Sequence, residues 1–139
     1  MAVAQALDSH ALLVFLRDEP GAEIVAQILE NAGQHDRPVH MSDVNYAEVQ
    51  DLVRRRDGDA AWQTIASELA ASPIEFHPTD RRLADLAAGF KARFRISLTA
   101  AFAAALAKEK KAELCTGDPD FKPLEKEIKI VWLITESFS

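Results

Sequence analysis

The sequence has a single cysteine, Cys115, which is too few thiols for a disulfide framework or a cysteine-based zinc site. No apolar run reaches the ~18 residues that a membrane-spanning helix needs, and the opening MAVAQALD lacks the basic start of a signal peptide. The chain has 16 basic residues and 22 acidic ones. A general nucleic-acid binder usually has a basic surface, so this charge balance argues against that class of protein. The expectation is a soluble, cytoplasmic protein without a membrane partner.

What is present is an ordinary globular composition. Of the 139 residues, 48% are hydrophobic and 27% are charged, which excludes a disordered or fibrous chain. No linker, low-complexity tract or internal repeat divides the sequence. We therefore expect one domain over residues 1–139, long enough to bury a core without a stapling metal or disulfide.

Short apolar runs alternate with longer helical patterns along the chain. The runs predict five strands. Residue types that commonly cap helices precede four of the helical segments: Asp8 or Ser9, Ser42, Thr79 and Ser97. The strands are expected at 2–7, 38–41, 73–77, 112–116 and 128–133, and the helices at 11–17, 20–31, 43–57, 59–71, 80–93 (capped by Thr79) and 98–111. Because helices separate the strands, an α/β fold with a central parallel sheet covered on both faces is predicted.

Acidic residues fall where such a sheet binds ligands, beyond the carboxyl ends of its strands. Asp8 follows the first strand and Asp118 follows the fourth, and these strands are often neighbours in doubly wound sheets. On the helix after Ser42, a step of about 100° per residue places Glu48 between Val44 and Leu52, inside the apolar stripe. A carboxylate facing the core is costly unless it is paired, protonated or bound to a metal.

Each acid also has a structural explanation. Asp8 can be only a helix cap, Asp118 only a turn residue, and Glu48 a partly exposed residue at the edge of its stripe. Together, three acids at one edge would repel one another unless a hard cation such as Mg²⁺ or Mn²⁺ lay between them. The four histidines show no metal-ligand spacing along the chain: His10, His35, His40 and His77.

Several segments resemble one family along nearly the whole chain. These are LDSHALLVFLRDEPGAE (7–23), MSDVNYAEV (41–49), PIEFHPTDRRLADLAAGFKA (73–92), ISLTAAFAAALA (96–107) and LCTGDPDFKPLE (114–125), followed by IVWL (130–133). In this collinear order they resemble a PIN-domain ribonuclease, specifically a VapC-type toxin of a toxin–antitoxin pair. The resemblance implies a three-layer α/β/α sandwich and a quartet of acids that holds one or two Mg²⁺ or Mn²⁺ ions.

The resemblance also assigns roles to individual residues. Asp8 is implied as a metal ligand, Asp118 as a residue that holds the metal or its water, and Glu48 as the group that orients the attacking water. Thr116 takes the small hydroxyl position, and Asp120 is a possible accessory acid. The implied reaction is hydrolysis of an RNA phosphodiester by a metal-activated water.

One position departs from the family pattern. Where the family commonly reads SLADAFAAALA, this chain has SLTAAFAAALA, so Ala100 stands where the family has a ligand aspartate. With Ser97 as N-cap, residue 100 is the third helical residue, where the helix dipole favours an anion. We therefore expect weak metal binding and weak or lost cleavage, whether the alanine arose naturally or was introduced to keep a toxic nuclease expressible.

The resemblance further implies a cognate antitoxin that covers the active site and a homodimer, to which the apolar segment 11–16 could contribute.

Two alternatives remain beside a weak ribonuclease. The first is an inactive scaffold that binds antitoxin or RNA. The second is another acid-cluster protein, which the sequence disfavours: an aspartyl phosphatase would need an acid at His10, and a receiver domain would need one at His77 or Pro78.

Overall fold

The computed structural model describes residues 3–133 and contains a five-stranded, wholly parallel sheet. The strands lie side by side in the order β3–β2–β1–β4–β5. Their bounds are β1 (Gln5–Leu7), β2 (Val39–Ser42), β3 (Ile74–His77), β4 (Glu113–Thr116) and β5 (Ile130–Trp132). All five predicted strands are confirmed: four have shorter bounds than predicted, and β2 is shifted by one residue toward the C-terminus. Residue 2 of the first predicted strand lies outside the described residues.

Helices connect successive strands and cover both faces of the sheet. They are α1 (Ser9–Leu16), α2 (Ala22–Gln34), α3 (Asp43–Asp57), α4 (Asp59–Ala70), α5 (Arg81–Arg93) and α6 (Leu98–Glu109), and a 3₁₀ helix over Pro119–Lys126 precedes β5. Within residues 3–133, none of these helices combines the length and apolarity needed to cross a membrane.

The two faces of the sheet carry separate cores because neighbouring strand residues point to opposite sides. Leu7 and Cys115 pack with α1 to α4, whereas Ala6 and Leu114 pack with α5, α6 and the 3₁₀ helix. The predicted three-layer α/β/α sandwich is therefore confirmed. Cys115 lies fully buried in β4, between two neighbouring strands.

The alanine-rich helix α6 is the most deeply covered helix. Every residue from Ala100 to Ala107 is buried, because small side chains let α6 approach α5 and the sheet closely. Since residues 100–107 are apolar on all sides, this stretch of α6 is covered all round rather than on one face.

Three predicted helix starts were displaced, and the first of these is α1, which begins at Ser9 rather than at residue 11. The helix α2 begins at Ala22 rather than at Pro20, because Gly21 has a φ of 104°, in the left-handed region that stops the helix from extending further back. The cap of α5 is Asp80 rather than Thr79: its carboxylate accepts the Leu83 N–H at 2.8 Å. Ser42 and Ser97 cap α3 and α6 as predicted.

The sheet order positions the candidate site. In the register of the two central strands, Leu7 pairs with Cys115, so Asp8 and Thr116 come together where β1 and β4 end. The predicted adjacency of the first and fourth strands is thus confirmed.

Candidate active site

The carboxyl ends of β1 and β4 carry the acidic edge, which consists of Asp8, Glu48 and Asp118, and Asp8 is its central carboxylate. It is the N-cap of α1, and its Oδ1 accepts the N–H of Ala11 at 2.8 Å. Its Oδ2 accepts a short hydrogen bond from the hydroxyl of Thr116, and only 4% of the residue is exposed. Asp8 is therefore a helix cap and at the same time part of the acidic edge, so the two explanations given for it from sequence do not compete.

Burial raises the pKa of the Asp8 carboxyl from 3.8 to about 7. The hydrogen bonds from Thr116 and Ala11 lower the pKa, and the negative charges of Asp118 and Glu48 raise it further. The three predicted acids therefore interact electrostatically, with Asp8 at the point where ionisation is most unfavourable.

The residues after β4 form a chain of short-range hydrogen bonds. The Asp118 N–H donates to Thr116 Oγ1 at 3.0 Å, which orients the hydroxyl that donates to Asp8. The half-buried Asp118 carboxylate accepts the N–H of Asp120 at 2.9 Å and caps the 3₁₀ helix. Asp120 itself is exposed at the rim.

Glu48 lies at the edge of the buried stripe of α3 rather than inside it, and the prediction was wrong in this respect. The buried positions of the helix are Asn45, Val49 and Val53, and this stripe is centred about 100° round the helix from Glu48. Glu48 is half-buried, and its Oε2 accepts the hydroxyl of Thr99 at 3.2 Å. That contact joins α3 to the first turn of α6.

Ala100 occupies the predicted third position of α6. Its N–H donates to the Ser97 hydroxyl at 3.1 Å, and it is 8% exposed. The neighbouring Thr99 reaches Glu48, so the first turn of α6 borders the acidic edge. Ala100 contributes only a methyl group to this turn.

Asn45 is a site residue that the sequence analysis missed. It is 1% exposed, and its amide donates to Ser9 Oγ at 3.0 Å and to the Thr99 carbonyl at 3.1 Å. Its Oδ1 accepts the Ser42 hydroxyl at 2.7 Å. Asn45 therefore ties together α1, α3 and α6, the helices that carry the acids or border them. A polar residue one turn before Glu48 was the available signal.

His10 lies on the rim and constrains the loop after β4. Its Nδ1 accepts the N–H of Gly117 at 3.2 Å. A Cβ atom at position 117 would lie 2.5 Å from His10 Cε1, so the ring and a side chain cannot share this space. A larger residue at position 117 would therefore require the exposed His10 ring to move.

The donor chemistry of the edge fits a hard divalent cation. Asp8, Glu48 and Asp118 offer carboxylate oxygens, which Mg²⁺ and Mn²⁺ prefer, and a cation would relieve the unfavourable charge on buried Asp8. Within residues 3–133, these acids do not converge to within 4.8 Å as a group of three.

The group that does converge to this degree is His40, Glu75 and His77. The spacing of the histidines along the chain did not indicate this grouping. Residues far apart in the chain are brought together by the pairing of β2 with β3, which spacing along the sequence does not reveal.

Comparison with known proteins identifies the family. The PIN domain family model matches residues 6–127, which is most of the chain. No curated protein matches the chain.

Solved structures share the fold at low sequence identity. A toxin–antitoxin complex from Klebsiella pneumoniae is 17% identical with a TM-score of 0.72, covering 94% of this chain and 98% of the other. DNA-bound VapBC from Salmonella typhimurium is 11% identical with a TM-score of 0.72, covering 96% and 100%. The sarcin-ricin loop cleaving toxin VapC20 of Mycobacterium tuberculosis is 17% identical with a TM-score of 0.63, covering 87% and 95%. The family model and the shared architecture lead to one conclusion: the chain belongs to the PIN domain family.

Proposed function

We propose that this chain is the toxin of a type II toxin–antitoxin pair, a single-domain endoribonuclease that acts in the cytoplasm and hydrolyses RNA phosphodiesters with Mg²⁺ or Mn²⁺. The observation that carries the proposal is the buried Asp8 carboxylate, hydrogen-bonded to Thr116 and electrostatically coupled to Glu48 and Asp118. The structures that share its fold include toxin–antitoxin complexes and an RNA-cleaving toxin, which supports this choice among PIN proteins.

Asp8 and Asp118 are the residues that would hold the cation. When bound, it would lower the pKa of a water and stabilise charge on the phosphoryl group. Thr116 fixes the orientation of the Asp8 carboxylate through its hydroxyl. Glu48, whose carboxylate accepts the Thr99 hydroxyl, would accept a hydrogen bond from the attacking water and orient it. Asp120 is an accessory acid at the rim.

Ala100 limits this activity. Without a carboxylate in the first turn of α6, three acids rather than four face the cation, and its affinity falls with the number of charged ligands. We therefore propose that cleavage by the chain as it stands is weak or absent, and that the Ala100→Asp variant is active.

The test is an RNase assay of the chain and of Ala100→Asp with Mn²⁺ on a structured RNA pool. We expect cleavage by Ala100→Asp that a chelator abolishes. Adding Glu48→Gln to that variant should remove cleavage, while adding Asp85→Asn, an exposed aspartate on α5, should not. Equal cleavage by the chain and by Ala100→Asp would show that position 100 is dispensable, and cleavage insensitive to Glu48→Gln would refute the acid cluster.

The second candidate function is an inactive PIN scaffold that binds its antitoxin or RNA. Ala100 is the observation that favours it. The two candidates share the proposed partners, a cognate antitoxin and a second copy of the chain, to which half-buried Leu13, Phe15 and Leu16 of α1 could contribute. If Ala100→Asp binds Mn²⁺ but cleaves no RNA of the pool, the scaffold is favoured.

A further inference from the structure

A group of nitrogen and oxygen ligands lies on the sheet away from the acidic edge. His40 on β2 is paired with Glu75 on the edge strand β3, and His77 follows Glu75 by two residues. Paired residues of neighbouring strands, and alternate residues of one strand, point to the same face of a sheet. His40 is also paired with Ala6, whose side chain packs with α5 and α6, so the three side chains share that face.

The ligand atoms meet around one nitrogen. His40 Nδ1 lies 2.8 Å from His77 Nε2, and Glu75 Oε1 lies 3.2 Å from the same nitrogen. The ligand atoms of all three residues lie within 4.8 Å of one another. The His77 side chain is 15% exposed and that of Glu75 is 54% exposed, so the group is accessible from solvent on the glutamate side.

Hydrogen bonds among the three residues cannot satisfy all of their acceptor atoms at once. A neutral imidazole has one N–H and one acceptor nitrogen, so at most one proton lies between His40 Nδ1 and His77 Nε2. If that proton is on His40, the Glu75 carboxylate faces the lone pair of His77 Nε2. If it is on His77, two acceptors compete for it. A cation would accept lone pairs from all three residues at once.

We propose that His40, Glu75 and His77 form a second cation site, selective for Zn²⁺ over Mg²⁺, that joins the edge strand β3 to β2. Two imidazole nitrogens and one carboxylate oxygen are a donor set that zinc favours, and three protein ligands leave a fourth position for water. Mg²⁺ prefers oxygen ligands and fits the acidic edge instead. The two sites therefore take different metals.

Only a small adjustment is required to bind the ion. Zn–N distances of about 2.05 Å in a tetrahedral site place two nitrogens about 3.3 Å apart, against 2.8 Å between His40 and His77 here. Lys110 at the end of α6 faces His40 and is the positive charge that opposes the cation, whereas Glu75 favours it. Lys110 lowers the pKa of His40 less than burial and His77 do.

The test is a metal titration of the untagged chain by calorimetry, with Zn²⁺ and with Mg²⁺ as separate probes, and with Co²⁺ absorption to report nitrogen ligands. We expect one Zn²⁺ per chain. We also expect the affinity for Zn²⁺ to fall at least ~10-fold in His77→Gln and in Glu75→Gln. The Glu75 side chain is largely exposed, so its substitution leaves the core intact. His35→Gln, an exposed histidine after α2, is the matched control and should bind as the parent does.

A further arm separates this site from the acidic edge. Asp8→Asn should leave Zn²⁺ affinity unchanged, whether or not the proposed nuclease function is correct. If Zn²⁺ binding is lost in Asp8→Asn but kept in His77→Gln and Glu75→Gln, the ion binds at the acidic edge and the proposal is overturned. Absence of Zn²⁺ binding by the parent overturns it equally.

Discussion

Asp8→Asn is expected to stabilise the protein at alkaline pH while removing the central carboxylate of the candidate site. Asparagine retains both hydrogen bonds: its oxygen can accept the Ala11 N–H, and its NH₂ group can donate to Thr116 once the hydroxyl turns. What disappears is a charge held in a buried position. Residues placed for function commonly reduce stability in this way.

The magnitude follows from the pKa of Asp8, which rises from 3.8 to about 7 on folding. Because the folded pKa is the higher one, the folded state holds the proton more tightly. The resulting stability is fully present below pH 3.8 and is lost as the pH rises through 7. About three pKa units at 1.36 kcal/mol each give about 4 kcal/mol of destabilisation at pH 8. For a chain of this length, this corresponds to a rise in Tm of roughly 10 °C in Asp8→Asn.

The assay is urea unfolding of both proteins at pH 8 and pH 4.5, with chelator present. We expect the free energies of unfolding to differ by up to about 4 kcal/mol more at pH 8 than at acid pH, and about 1 kcal/mol of this effect to remain at pH 4.5, just above the unfolded pKa. Asp85→Asn, which removes an exposed aspartate of α5, should change stability by less than ~0.5 kcal/mol at either pH. A difference that does not vary with pH, or an Asp8→Asn variant less stable than the parent at pH 8, would show that buried charge is not the cause.

Two further predictions concern the packing around the acids. Asn45→Ala removes the three hydrogen bonds of one buried amide, so we expect a loss of ~2–4 kcal/mol in urea unfolding, against less than ~0.5 kcal/mol for Asn31→Ala on exposed α2 surface. Gly117→Ala places a methyl group against the exposed His10 ring, which must turn away, and should leave the free energy of unfolding unchanged or lower it slightly. Gly33→Ala, in a helix with open space, should raise the free energy of unfolding by ~0.5–1 kcal/mol; equal gains in the two variants would contradict the contact between His10 and residue 117.

Local chemistry made most of the fold predictable from sequence. The caps Ser42 and Ser97 were recognisable because a hydroxyl before an amphipathic or apolar segment satisfies the first free N–H groups of the helix. The parallel order followed from helices between strands, and it correctly brought Asp8 toward the loop that carries Asp118.

What the sequence could not provide depends on contacts between distant segments. The side of α3 that is buried is set by its packing against the sheet and its neighbouring helices, so Glu48 fell at the edge of the stripe and Asn45 inside it. The approach of His40 to His77 depends on the register between β2 and β3, and no local pattern encodes that register.

The buried thiol of Cys115 in β4 allows the stability of the folded chain to be measured by its rate of alkylation. Burial, together with the charge of Asp8, raises the pKa of Cys115 to about 12, so the thiolate that reacts with alkylating reagents hardly forms in the folded protein. Since this is the only cysteine in the sequence, labelling proceeds through opening of the central sheet. A metal ion, antitoxin or RNA that stabilises the folded state would slow the labelling, and a single mass shift would report its binding in an unpurified mixture.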